Sequence, residues 1–216
     1  MELMKLVQTA IRHGLGGMEK LSGIPGSVGG AVVGNAGAYG HTISDHLVRV
    51  EVLAGRRVRW LEKSECRFAY RESIFKRRPW VVLRAEFALE PGDAKDLAKI
   101  SREIVSVRTK KFPPGLACPG SFFKNIPVTA LSKRQLARIP PEKLIHGKLP
   151  AGYLLEEVGA KGMHYGALEI MPYHGNLMVN HGGATYREVR AFARILKTRV
   201  REKFGIELEE EVRYIS

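Results

Sequence analysis

Thiols are scarce: Cys66 and Cys118 are the only cysteines in 216 residues, and nothing near them has metal-ligand spacing. Two such residues cannot staple a small secreted fold, so a reducing, cytoplasmic setting is expected. Long apolar runs are missing too. No stretch approaches the ~20 residues that cross a bilayer, which excludes a membrane-spanning helix. Residues 2–13 alternate charge and apolar side chains and lack a small-residue cleavage site, so they read as neither secretory signal nor anchor. There is no internal repeat and no low-complexity tract. Nor is there a G-x-G-x-x-G between strand and helix, a phosphate-binding loop ending in Gly-Lys-Ser/Thr, or a G-x-S-x-G elbow.

Acids are the minority charge. Against 35 lysines and arginines stand 22 acids, a formal charge of +13. Such a surface attracts nucleic acid, membrane headgroups or phosphorylated small molecules. The bases are dispersed in short groups, Arg56-Arg57, Lys76-Arg77-Arg78 and Lys110-Lys111, and most of the excess reads as solvated surface. They lack the basic and aromatic clustering of nucleic-acid modules, so neither nucleic acid nor membrane is expected as a partner. Nothing in the sequence specifies an oligomeric state. The length suffices for one large domain or two small ones, and 44% hydrophobic residues is ordinary for a folded protein.

The periodicities predict an α+β chain. Met4, Val7 and Ile11 place one helix over 2–13, closed by Gly14. Period two over 48–52, a turn at Ala54-Gly55-Arg56, and apolar runs around Val58 and Trp60 and over 80–89 predict three strands. Asp93 stands at an N-cap position before a helix with Leu97, Ile100, Ile104 and Val107 on one face. Pro113-Pro114-Gly115 is the expected domain boundary. Thr185 and Glu188 have capping-box spacing ahead of a buried stripe of Val189, Phe192, Leu196 and Val200, and Gly205 closes that helix. The alternation Leu208, Glu210, Val212, Tyr214 predicts a final strand.

Seven of the eighteen residues from Gly23 to Gly40 are glycine. Such a stretch either lets a ligand approach exposed backbone N–H groups or is a set of tightly packed turns. Ser121, in Gly120-Ser121-Phe122-Phe123-Lys124-Asn125, is a turn residue, a nucleophile or a proton donor. Glu209 and Glu211 share one strand face and Glu210 the other, so at least one carboxylate faces the interior unless the strand is a solvated edge. Arg71, within Tyr70-Arg71-Glu72-Ser73-Ile74-Phe75-Lys76, has the planar fork that suits a carboxylate.

In this order these segments resemble the bacterial UDP-N-acetylenolpyruvoylglucosamine reductase family. The likeness runs through Gly23-Ile24-Pro25-Gly26, residues 35–40, residues 66–76, Gly120–Asn125, Pro150-Ala151-Gly152-Tyr153-Leu154, and residues 204–206 with 208–213. The resemblance implies the second half of a two-subdomain, vanillyl-alcohol-oxidase-like FAD-binding domain over 1–110. A mixed α+β substrate-binding domain is implied over 111–216. It implies FAD and NADPH as cofactors, with a UDP-sugar as substrate. Ser121, Glu211 and Arg71 are the implied catalytic residues, with Ser121 as proton donor. Tyr70, Lys111, Asn125 and His174 are the implied substrate contacts. Ile24, Pro25, Gly26, Gly29, Gly30, Asn35, Gly37, Tyr39, Arg108 and Arg213 are the implied cofactor contacts. No long insertion separates Phe75 from Ser121, as in the family's shorter type. Met1 aligns just before the helix that follows the family's first flavin-binding subdomain. The resemblance therefore implies exposed apolar surface, and weak or absent flavin binding by this chain alone. The alternative is a redox-inactive remnant that still binds UDP-sugar.

Overall fold

A computed structural model describes residues 1–113 and 115–214. Of the expected boundary, Pro114 lies outside the described residues. The chain divides into two compact units, Met1–Lys111 and Phe112–Ser216.

The first unit runs α1 (Leu3–Arg12), β1 (Leu15–Gly16), α2 (Val28–Gly34), β2 (Gly37–Ala38), β3 (His41–Thr42), β4 (Leu47–Ala54), β5 (Arg57–Glu62), β6 (Val81–Phe87), β7 (Glu90–Pro91) and α3 (Ala94–Lys111). Strands β5, β4 and β6 form an antiparallel sheet in that order, with Val50 opposite both Leu61 and Ala85. The side-chain alternation of a strand sends Val50, Val52 and Leu61 into a core shared with Leu3, Val7 and Ile11 of α1. The other face leaves Val58, Trp60, Val81 and Leu83 exposed. There Arg49 bonds Glu86 at 2.6 Å and lies 4.6 Å above the Trp60 ring.

The third helix differs from expectation in its register. Asp93 caps it as predicted, accepting from the N–H groups of Lys95 and Asp96. The buried positions, however, are Leu97 and Ser101, and Val107 is 51% exposed. The inward row is 97–101–105–108, because Ser101 Oγ meets Ser22 Oγ at 2.7 Å and Val105 and Arg108 pack over Gly23. A polar pair thus outweighs the apolar stripe, and it turns Arg108 inward.

The second unit runs β8 (Ile126–Pro127), α4 (Lys133–Leu136), β9 (Lys148–Leu149), α5 (Ala151–Glu157), β10 (His164–Tyr165), β11 (Leu168–Ile170), β12 (Met178–Asn180) and α6 (Tyr186–Phe204). Helix α6 begins with the expected capping box of Thr185 and Glu188 and ends at left-handed Gly205. Its face of Phe192, Ala193, Leu196, Val200 and Phe204 is buried against the antiparallel sheet β10-β11-β12 and α5, and Phe192 stacks on Tyr165. The predicted final strand is not a regular one. Over residues 208–214 the ladder is reduced to one bridge, Phe123 opposite Glu210, flanked by Lys124 N–H to Glu209 O and Glu211 N–H to Phe122 O, both 2.8 Å. Its partner spends two consecutive N–H groups, those of Phe122 and Phe123, on Asn176, so a longer ladder cannot form.

Candidate active site

In the first unit the glycine-rich stretch is partly helical. Ser27 caps α2 by accepting from Gly30 N–H, and Asn35 ends it in the left-handed region at φ 43°. Part of the stretch is therefore a short helix with polar caps. Its end is tied to the loop that carries Tyr70 and Arg71: Asn35 Nδ2 donates to Ala69 O at 2.9 Å, and Ser73 Oγ donates to Val33 O at 2.7 Å. Ala69 and Glu72 exchange backbone hydrogen bonds, which makes Tyr70-Arg71 the two central residues of a tight turn. Arg71 occupies it at φ 56°, where glycine is the usual occupant. Among the described residues five non-glycines have positive φ, and Asn35, Tyr39 and Arg71 are three of them. Such strain concentrates at sites held by their surroundings for function.

The Arg71 guanidinium lies 5.4 Å from the Tyr70 ring centre, and Lys76 Nζ donates to Arg71 O. Burial lowers the Arg108 pKa; Tyr39 opposes that shift and the Arg71 charge adds to it. Burial, then the Arg108 charge, also lowers that of Lys111. Arg71, Arg108 and Lys111 therefore share one region of positive potential, which an anionic ligand relieves.

The residues expected to touch FAD fit such a group in two respects. A Cβ at Gly26 (φ 112°) would meet nothing within 4 Å, so the backbone there is open to approach. Asn35 Oδ1 is a buried acceptor with no donor among the described residues, a costly state unless a ligand or water satisfies it. Gly37 has a packing reason of its own, because a Cβ there would collide with His41 O and Thr42 of the β2–β3 hairpin. Pro25, Gly30 and Tyr39 are solvent-exposed, and Ile24 and Gly29 half-buried.

The second unit carries Ser121, Asn125, His174 and Glu211. Gly120 turns the chain at φ 88° into Ser121, which is half-buried, and Phe122, Phe123 and Lys124 follow as buried residues. Glu211 N–H bonds Phe122 O, so Glu211 and Ser121 stand on paired segments. Asn125 Oδ1 accepts from Ala151 N–H at the start of α5. His174 Nδ1 accepts from Asn176 N–H, and its ring lies 5.8 Å from Phe112. Lys124 Nζ, whose direction sequence leaves open, points to Glu209 Oε1 at 2.5 Å. Arg213 is exposed at the rim of an apolar cavity of about 390 Å³ lined by Phe122, Met178, Val189 and Val212. Tyr70, Arg71 and Lys111 thus belong to the first unit, the other substrate and catalytic candidates to the second.

Sequence reasoning passed over Asn176. It is buried, and its side chain bonds both backbone groups of Phe123. The available signal was a polar residue opening the apolar run Leu177-Met178-Val179.

Two parts of the chain match known sequence families. Residues 2–57 match one described as "FAD binding domain", and residues 113–215 one described as "UDP-N-acetylenolpyruvoylglucosamine reductase, C-terminal domain". FAD-binding-domain sequence followed by a reductase C-terminal domain is the architecture of a flavin-dependent reductase. A UDP-N-acetylenolpyruvoylglucosamine reductase from Solibacter usitatus is 48% identical over 99% of this chain and 69% of its own length. One from Chloroherpeton thalassium is 38% identical over 99% of this chain and 65% of its own. The crystal structure of the reductase from Thermus caldophilus superposes with a TM-score of 0.76 at 32% identity, covering 99% of this chain and 69% of that one. The chain belongs to the UDP-N-acetylenolpyruvoylglucosamine reductase family. It spans roughly two thirds of the length of these relatives. Among the described residues no helix is long and apolar enough to cross a membrane.

Proposed function

We propose that the chain serves the FAD- and NADPH-dependent reduction of UDP-N-acetylenolpyruvoylglucosamine to UDP-N-acetylmuramate, a step of peptidoglycan precursor synthesis. The observation that carries this reading is the pairing of the Ser121 segment with the Glu211 segment: Glu211 N–H bonds the carbonyl of Phe122, the residue that follows Ser121, at 2.8 Å. In this reading residues 1–110 hold the second half of the flavin site and residues 111–216 the substrate domain.

FAD, when bound, supplies the hydride that reaches C3 of the enolpyruvyl group, and NADPH replenishes it. Ile24, Pro25, Gly26, Gly29, Gly30, Asn35, Gly37 and Tyr39 would hold the flavin, together with Arg108 and Arg213. The chain's own residues manage the charge that results at C2 and on the adjoining carboxylate. Arg71 offers two parallel N–H groups to the two oxygens. Glu211 helps polarise the same carboxyl group, and these interactions strengthen as charge develops. Ser121 delivers its hydroxyl proton to C2. Tyr70, Lys111, Asn125 and His174 hold the UDP-sugar and its enolpyruvyl arm.

A second reading is a UDP-sugar-binding protein without redox chemistry. Two titrations separate them. Added FAD should develop a bound-flavin spectrum, and calorimetry with UDP-N-acetylglucosamine should give affinity that falls at least tenfold in Lys111→Ala and in Asn125→Ala. Sugar-nucleotide binding with no flavin binding at high FAD concentration supports the second reading. Neither binding rejects both.

A further inference from the structure

We infer that Asn176 is a positioning residue for the proposed active-site segment Ser121–Asn125: its side-chain amide replaces a strand partner exactly where that segment departs from regular β geometry. The proposal rests on the functional reading above for its consequence, and on hydrogen-bond geometry for its cause.

In a regular strand successive N–H groups point to opposite sides, so one neighbouring strand serves alternate residues. Here two consecutive N–H groups point the same way. Phe122 N–H donates to Asn176 O at 3.0 Å, and Phe123 N–H donates to Asn176 Oδ1 at 2.9 Å. Asn176 Nδ2 returns a bond to Phe123 O at 2.8 Å. A backbone partner has one carbonyl per residue and cannot serve both donors from one position. Asn176 serves both by adding its side-chain amide to its backbone carbonyl: the carbonyl takes Phe122 N–H, and the amide takes Phe123 N–H and donates to Phe123 O. Asn176 is 2% exposed and Phe123 1%, so no water stands ready to replace the lost partners.

On the opposite edge the segment is held by Glu209 and Glu211 through Lys124 N–H and Phe122 O. On its own edge Ser121 forms a bridge with Leu177, the residue after Asn176. Asn176 therefore sits at the junction that sets where Ser121 emerges from Gly120 and where Asn125 enters its bond to Ala151. The groups facing it are His174, through Nδ1 to Asn176 N–H, and the Lys124–Glu209 ion pair beside Phe123. It touches no reacting atom in this reading, and acts through the peptide of Phe123.

Asn176→Asp in the full chain is the test, because it keeps shape and the acceptor for Phe123 N–H. At alkaline pH the carboxylate has no donor for Phe123 O; once protonated, its hydroxyl supplies one. Amide hydrogen exchange at Phe122 and Phe123, and calorimetric affinity for UDP-N-acetylglucosamine, are measured against wild type from pH 8 down to 5, since His174 is common to both. At pH 8 Phe123 O has lost its donor and the segment opens more often, so the variant should lose about tenfold in protection at both amides, and about tenfold in affinity. Both should recover as pH falls, while Phe192 and Leu196 of α6 keep wild-type protection throughout. Protection of Phe122 and Phe123 unchanged at pH 8, or lost equally in α6, overturns the inference. If wild type binds no sugar nucleotide, the functional reading fails, and the exchange data alone still decide whether Asn176 positions the segment. Asn176→Ala, lacking acceptor and donor at every pH, should show the loss without the recovery; recovery there also contradicts the assignment.

Discussion

Gly175, between His174 and Asn176, offers a direct measure of how tightly the proposed site is packed. A Cβ built there would stand 2.9 Å from Gly152 O, 3.1 Å from Glu156 Cγ and 3.3 Å from Glu156 N. Two of these three atoms are backbone of α5, which is anchored by the buried side chains of Ala151, Leu154 and Leu155 and cannot swing aside as a surface side chain does. Overpacking of this kind costs about 1–3 kcal/mol. Replacing glycine by alanine also restricts the unfolded chain, which offsets about 0.4–1 kcal/mol. The expected net effect of Gly175→Ala is a destabilisation of about 1–2 kcal/mol, or a lowering of Tm by about 2–8 °C for a chain of this size. Urea denaturation followed by far-UV ellipticity measures it. Gly34→Ala is the matched control: it lies in α2 and its Cβ meets nothing within 4 Å, so stability should be unchanged or slightly higher. Equal midpoints for Gly175→Ala and wild type would refute the packing argument, as would a loss in Gly34→Ala as large as that in Gly175→Ala.

Other consequences are as definite. Cys66 is fully buried and burial, then Glu65 and Glu62, push its pKa up from 9.0 to about 11. It should resist iodoacetamide at pH 8 in the native chain, while half-buried Cys118 reacts first. Because the folded value lies above the unfolded one, the stability tied to the Cys66 thiol is intact below about pH 9 and declines toward pH 11, and Cys66→Ala should flatten that part of the stability profile. Thr185→Ala removes the α6 cap and should cost about 1 kcal/mol in the same denaturation assay. The Thr185 backbone and side-chain hydrogen bonds lower the Glu188 pKa, so this cap should weaken as pH falls through the acid range and not in alkali. Asn35→Ala cuts the bond to Ala69 O and should cost about 1–3 kcal/mol. It should also weaken any FAD affinity, because it frees the turn that presents Arg71.

What the sequence reveals best is local. Thr185, Glu188 and Gly205 mark both ends of α6 because a cap is made within four residues of the chain, and Asp93 marks α3 for the same reason. The strands β4, β5 and β6 are legible from alternation and from the turn at Gly55. Where partners lie far away in sequence, the reading falters. The alternation of residues 208–214 looks like a strand, yet pairing depends on residues 122–124, of which Phe122 and Phe123 have already committed their N–H groups to Asn176. The α3 stripe is misjudged because Ser22 binds Ser101 from 79 residues away. Helix α2 is masked by its three glycines, although Ser27 and Asn35 are both ordinary cap residues. The order of the site segments was visible throughout; the amide that holds Phe123 was not.

The account stands most directly on one kinetic measurement: NADPH consumption by the purified chain with added FAD and UDP-N-acetylenolpyruvoylglucosamine, with the product identified. The expected result is one UDP-N-acetylmuramate per NADPH oxidised, with the rate reduced at least a hundredfold in Ser121→Ala, in line with the ~10²–10⁴-fold contribution of a positioned proton donor. Product formation undiminished in Ser121→Ala would contradict the assigned proton donor, and substrate binding with no NADPH consumption at any FAD concentration would contradict the reductase reading of this chain.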